Sequence, residues 1–197
     1  MKKTKEDFRE NNNPREDGSF FPPPPEVIDR YWDIRAILKT QEILDINYHH
    51  NAKVTRGETF KKRKLALWVE LAEAVNEWKD LFKYWSNKKT KREKALEEYV
   101  DGLHFLLSLG NDLNIPSNHN TIVKFHDPID HIFTLSVVIA NISGVQSYYD
   151  AFALFRGFGE HFNFTEAEVE EAYHEKNKVN IEREDHNIGG FLKAPKY

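Results

Sequence analysis

Cysteine is absent from this 197-residue chain. That excludes a disulfide scaffold, a thiol nucleophile, cysteine-based zinc sites and Fe–S clusters. An excess of basic charge is also missing. The formal net charge is −4, which does not point to a nucleic-acid binder. No apolar run approaches the roughly 18 residues that span a bilayer, and the opening MKKTKEDFRE has no signal-like apolar stretch. The expectation is a soluble cytoplasmic protein. G-x-S-x-G and phosphate-loop motifs are lacking, and Gly157-Phe-Gly159 lacks the third glycine of a dinucleotide loop.

Proline is confined to Pro14, Pro22 to Pro25, Pro116, Pro128 and Pro195. The long proline-free stretches between them favour helices, and no strand alternation flanked by tight-turn pairs stands out. The fold class expected is all-α, a bundle of about five main helices. They should span about 27–48, 60–84, 91–112, 129–156 and 166–182. Two capping boxes mark starts, Thr90 with Glu93 and Thr165 with Glu168. Residues 1–25 read as a charge-balanced tail ending in a polyproline segment, and 26–197 as the domain. An apolar surplus among Phe133, Val137, Val138, Ile139, Tyr148, Tyr149 and Phe152 predicts a homodimer.

The informative stretch is LALWVELAEAV, Leu65 to Val75, where Glu70 and Glu73 are the only polar residues. Apolar neighbours on every side predict a buried helix. At i and i+3 the two carboxylates point the same way, with Cβ atoms roughly 5–6 Å apart. Burying like charges together raises their pKa values or demands a cation between them. YVDGLHFLLSL, from Tyr99 to Leu109, repeats the anomaly, with Asp101 one turn after Glu98. A helical hairpin can bring Glu70, Glu73, Glu98 and Asp101 together. Four carboxylates on rigid helices suit Mg²⁺, with Mn²⁺ as a substitute. Glu77, Glu93 and Glu97 read as solvated neighbours of that set.

These residues carry a resemblance. E-x-x-E (Glu70, Glu73) followed by E-x-x-D (Glu98, Asp101) resembles the all-α NTP pyrophosphatase superfamily, which includes MazG and the dimeric dUTPases. ALWVELAEAVNEWKDLFKYWS, LEEYVDGLHFLLSLGN, AYHEKNKVNIERE and QEILD (Gln41 to Asp45) are similar to the dimeric dUTPase branch. The resemblance covers about 35–185. It departs after Arg183, where Glu184 and DHNIGGF stand in place of the branch's usual Gln and Gly-Tyr.

The resemblance implies hydrolysis of dUTP to dUMP and pyrophosphate, with Mg²⁺ on the four carboxylates. Glu70 or Glu73 would orient or deprotonate the water. Lys176, Asn177, Asn180 and Arg183 become triphosphate contacts. Lys176, Asn180 and Arg183 share one helical face, and Arg can grip phosphate with two donors. Gln41, on the apolar stripe of the first helix, becomes the reader of the base, because an amide matches both a donor and an acceptor. Lys83 and Trp85 are further possible contacts. The alternatives are a related pyrophosphatase acting on dCTP or on several nucleotides, and a helical binding protein of this fold without turnover. His104 reads as a hydrogen-bonded core histidine, His49 and His50 as poor metal ligands, and the runs Lys61 to Lys64 and Lys88 to Lys94 as solvated helix ends.

Overall fold

Thr55 starts the central helix with a complete capping box. Its hydroxyl accepts from the Glu58 amide, and the Glu58 carboxylate accepts from the Thr55 amide at 2.7 Å. In the computed structural model, residues 23–116 and 118–188 are described, with side chains as far as Arg183. The elements run β1 (Glu26–Asp33), α1 (Arg35–Ala52), α2 (Arg56–Glu77), α3 (Lys79–Phe82), α4 (Arg92–Asp112), β2 (Asn118–Lys124), α5 (Pro128–Ala140), α6 (Val145–His161) and α7 (Glu166–Ile188). The chain folds as the expected all-α bundle, with one small sheet added. The expected tail lies outside the described residues as far as residue 22.

The helices expected at 27–48, 60–84 and 129–156 break differently, the second being α2 as far as Glu77 and then, after Trp78, the four-residue α3. The stretch 26–33 is an antiparallel strand paired with β2, in a register running from Glu26 opposite Lys124 to Asp33 opposite Asn118. Buried Trp32 anchors it, and α1 begins only after Asp33, whose Oδ1 accepts from the Arg35 amide at 3.1 Å. The expected helix at 129–156 is two helices. Ser147 Oγ accepts from the amides of Ser143 and Gly144 and starts α6 afresh, while Pro128 and the Asp127 side chain start α5. The box expected at Thr90 does not form. The amide and hydroxyl of Thr90 both bond Asp80 Oδ1, and Lys91 occupies the cap position without a side-chain bond. The Thr165–Glu168 box does form.

α2 and α4 pack as an antiparallel pair. Arg63 meets Ser108 near one end, and the Lys91 amide meets the Glu77 carbonyl at the other. Leu67, Leu103, Leu106 and Leu107 fill the seam, and Phe155 and Phe158 of α6 close the core behind it. Each such side chain contributes roughly 1.5–3 kcal/mol on burial. α6 also carries β2. A Cβ at Gly157 would stand 1.9 Å from the Val123 carbonyl oxygen, so only glycine admits this approach. α1 and α7 lie against the remaining side of α4. Tyr173 of α7 is fully buried, with its hydroxyl 3.1 Å from the Ile37 carbonyl.

α2 is not buried all round, contrary to the expectation from its sequence. Leu65, Trp68 and Val69 are exposed at 62%, 46% and 38%. Only Arg63, Leu67, Leu71 and Ala74 are buried on this helix. α4 and, over a smaller area, α5 cover only part of the cylinder, and these three apolar residues face outward.

Candidate active site

The α2–α4 pairing decides where the carboxylates go. Because the helices run antiparallel, the turn carrying Glu70 and Glu73 faces the turn carrying Glu98 and Asp101. Glu70, Glu73 and Glu98 each place an oxygen within 4.8 Å of the other two. Asp101 stands beside this group, with Oδ2 accepting from Lys176 Nζ of α7 at 2.6 Å. So three of the four expected carboxylates converge, and the fourth, Asp101, stands beside them paired with Lys176.

The electrostatics follow. Burial, together with the charges of Asp101, Glu73 and Glu98, pushes the Glu70 carboxyl up to about 7. Burial and the charges of Glu73 and Asp101 push Glu98 upward too. Asp101 is raised by burial, against the pull of Lys176. These groups crowd negative charge without neutralising it, and the donor set is all oxygen, so the residues fit a hard divalent cation.

Beside the carboxylates opens a cavity of about 480 Å³ between α1, α2, α4 and α7. Glu70 and Asp101 reach it from one side, and Lys176, Asn180 and Arg183 line the α7 wall. Asn177 does not share that wall. It is buried at 4% exposure, with Oδ1 unpartnered among the described residues, one position round the helix from its neighbours. Lys83 bonds Asn76 Oδ1 at 2.6 Å, and Trp85 is 67% exposed in the segment after α3. Neither side chain lines the cavity.

Gln41 lines the cavity but is engaged within the protein. Its Nε2 donates to Asp45 Oδ1 at 2.8 Å, and its Oε1 takes His104 Nδ1 at 2.8 Å and faces the Tyr173 hydroxyl at 3.0 Å. The network runs on: Arg63 donates to Ser108 Oγ at 2.8 Å, and Ser108 donates to Asp45 Oδ1 at 2.8 Å. Arg63 also bonds the Ser108 carbonyl and Asp112. Burial pushes the Asp45 carboxyl up to about 6 and the His104 imidazole down to about 3.

Asp45, Ser108 and Arg63 are cavity residues that the sequence reading missed. A faint signal existed for Asp45, one turn after Gln41 on the buried stripe of α1. Arg63 sits inside the run Lys61 to Lys64, which read as solvated, yet it turns inward at 7% exposure. His104 is the hydrogen-bonded core histidine expected. His49 bonds the Asp45 carbonyl and Thr59 Oγ1 at 2.6 and 2.8 Å.

A family model described as dUTPase matches residues 33–188, most of the chain. The chain belongs to the dUTPase family. No curated protein and no solved structure matched it. Membership makes this a nucleoside triphosphate pyrophosphohydrolase of the helical type and fits a nucleotide substrate. Among the described residues, no helix is long and apolar enough to cross a membrane.

Proposed function

We propose that the enzyme hydrolyses dUTP between the α and β phosphates, releasing dUMP and pyrophosphate, and that it requires Mg²⁺. The observation carrying this reading is the convergence of Glu70, Glu73 and Glu98 next to a cavity whose facing wall bears Lys176 and Arg183. Glu70, Glu73, Glu98 and Asp101 would hold the metal. Bound there, it supplies charge neutralisation at the phosphate oxygens and lowers the pKa of a water.

The chain's own residues do the rest. Lys176, tied to Asp101, stands at the junction of carboxylates and cavity, where it can pass its charge to a phosphate. Arg183 offers a planar two-donor grip and Asn180 an amide on the same wall. Glu70 or Glu73 orients the attacking water and takes its proton. Apolar side chains such as Leu44, Val54 and Phe105 make up part of a wall of mostly polar residues, and they can pack against the faces of a base.

Purified protein given dUTP, dCTP and other triphosphates, with and without Mg²⁺, tests the reaction. Pyrophosphate release from dUTP that stops on chelation is expected. Release of orthophosphate instead would overturn cleavage at the α phosphorus.

The homodimer belongs to this proposal as well. Ile129, Phe133 and Val137 follow one another by single turns on α5 and are exposed at 40%, 66% and 62%. α5 packs on α2, which exposes Leu65, Trp68 and Val69. A second copy is the partner suited to that surface. Light scattering should give twice 23.2 kDa, and a monomer at micromolar concentration would refute it.

A further inference from the structure

Gln41 has little left to offer a base. Its Nε2 position is fixed by a carboxylate, which only accepts, and its oxygen already faces His104 and Tyr173. The next residue on this face of α1 differs. Asp45 is 4% exposed and lines the cavity. Both internal donors, from Gln41 and Ser108, fall on Oδ1. Asp45 Oδ2 is buried and has no partner among the described residues. A buried acceptor left unmatched is costly, and a bound ligand carrying a donor relieves that cost.

We infer that Asp45 is the specificity-determining residue of the enzyme, its Oδ2 accepting the N3–H of the uracil ring, while Gln41 is a positioning residue that holds Asp45 and His104. The inference rests on the proposed dUTP hydrolysis. It follows from a short inventory. Uracil linked through N1 has two carbonyl acceptors and one N–H on its free edge, so an acceptor-only oxygen can pair only with N3–H. Cytosine has a bare N3 lone pair there and meets the carboxylate with repulsion. The neighbouring groups are consistent. Gln41 Oε1 can only accept, so His104 Nδ1 carries the ring proton and Nε2 is a lone pair. His104 therefore cannot supply Asp45 with a proton. Asp45 does not read the base's C5 position, so a 5-methyl group is excluded or tolerated by packing alone.

The network also dictates what Asp45→Asn must do. Two donors converge on Oδ1, so the amide oxygen stays there and Nδ2 takes the place of Oδ2. An acceptor becomes a donor, in nearly the same volume. Turnover of dUTP and dCTP by the wild type and Asp45→Asn should show kcat/KM for dUTP falling roughly 10- to 100-fold, mostly through KM, while dCTP falls less or rises. An unchanged dUTP-to-dCTP ratio in an active variant overturns the inference. A ligand-side measurement does not depend on the variant folding. Calorimetry on the wild type should show dUMP binding at least ~10-fold tighter than 3-methyl-dUMP, which lacks the N–H. Equal binding of the two overturns the inference even if dUTP is hydrolysed. Discrimination between them without any pyrophosphate release would support the role of Asp45 and sink the proposed reaction.

Discussion

Two polar regions share the α4 helix and solve opposite problems. The carboxylate face of α2 and α4 gathers Glu70, Glu73 and Glu98 at its half-exposed edge, with Asp101 alongside, and Lys176 as the counter-charge bonded there. One turn further along α4, His104 and Ser108 join Gln41, Asp45 and Arg63 in a buried network in which most polar atoms are matched. The first region is electrostatically incomplete, and burial together with the like charges raises Glu70 to about 7. The second is almost complete, and among the described residues its gaps are single atoms: Asp45 Oδ2, Arg63 Nε and His104 Nε2. An incomplete charge cluster selects an ion by charge. A nearly complete network selects a ligand by the direction of one hydrogen bond.

The contrast is sharpest if each region is broken separately. Glu73→Gln strikes the incomplete region. It should lower kcat by roughly 10³-fold or more while leaving the fold intact, since one of three crowded carboxylates is neutralised. Pyrophosphate assays with a thermal melt check this, and near wild-type turnover would remove Glu73 from the site.

Gln41→Ala strikes the network. Leaving a buried partner unmatched costs about 1–3 kcal/mol, so kcat/KM for dUTP should drop roughly 5- to 150-fold, with relaxed preference against dCTP. Arg183→Ala, on the α7 wall, should instead weaken all triphosphates by one common factor. If Gln41→Ala weakens dUTP and dCTP equally, the network has no part in base choice.

Asp45→Asn should show what the network's open atom costs the fold. The Asp45 carboxyl lies at about 6 in the folded chain, against an ordinary value of 3.8, chiefly because it is buried. A raised carboxyl favours the protonated form, so the wild type loses stability as pH rises from about 4 to about 6. Asp45→Asn escapes that loss. It should exceed the wild type by about 1–3 kcal/mol at pH 7, and the gap should close below pH 4. Denaturant melts at three pH values measure it, and a pH-independent difference would contradict a strained carboxylate. The smallest effect should come from Thr165→Ala, outside both regions. Losing the α7 cap costs about 1 kcal/mol of stability and leaves base choice unchanged.

The helical fold and the carboxylate face were legible in the chain because both are local. Glu70 with Glu73, and Glu98 with Asp101, are pairs one turn apart, and the 3.6-residue period alone puts each pair on one face. The Thr165–Glu168 cap is local in the same sense. The Thr90–Glu93 box failed because Asp80, ten residues earlier, captured Thr90. β1 was hidden because its partner β2 lies some ninety residues away in sequence, and pairing overrode its helix-like apolar spacing.

The chain by itself determined which residues would sit together along one helix: the acidic pairs, the α1 stripe with Gln41, and the Lys176–Asn180–Arg183 face. Only the tertiary structure decided what crosses between helices. It set Lys176 on Asp101, turned Arg63 inward from a basic run to Ser108, and left Asn177, Lys83 and Trp85 away from the cavity. It also occupied Gln41 internally and left the buried Oδ2 of Asp45 unmatched among the described residues. The physical reason is range. Helical periodicity acts over four residues, whereas the matching of buried donors and acceptors is settled among α1, α2, α4 and α7 only once they are packed.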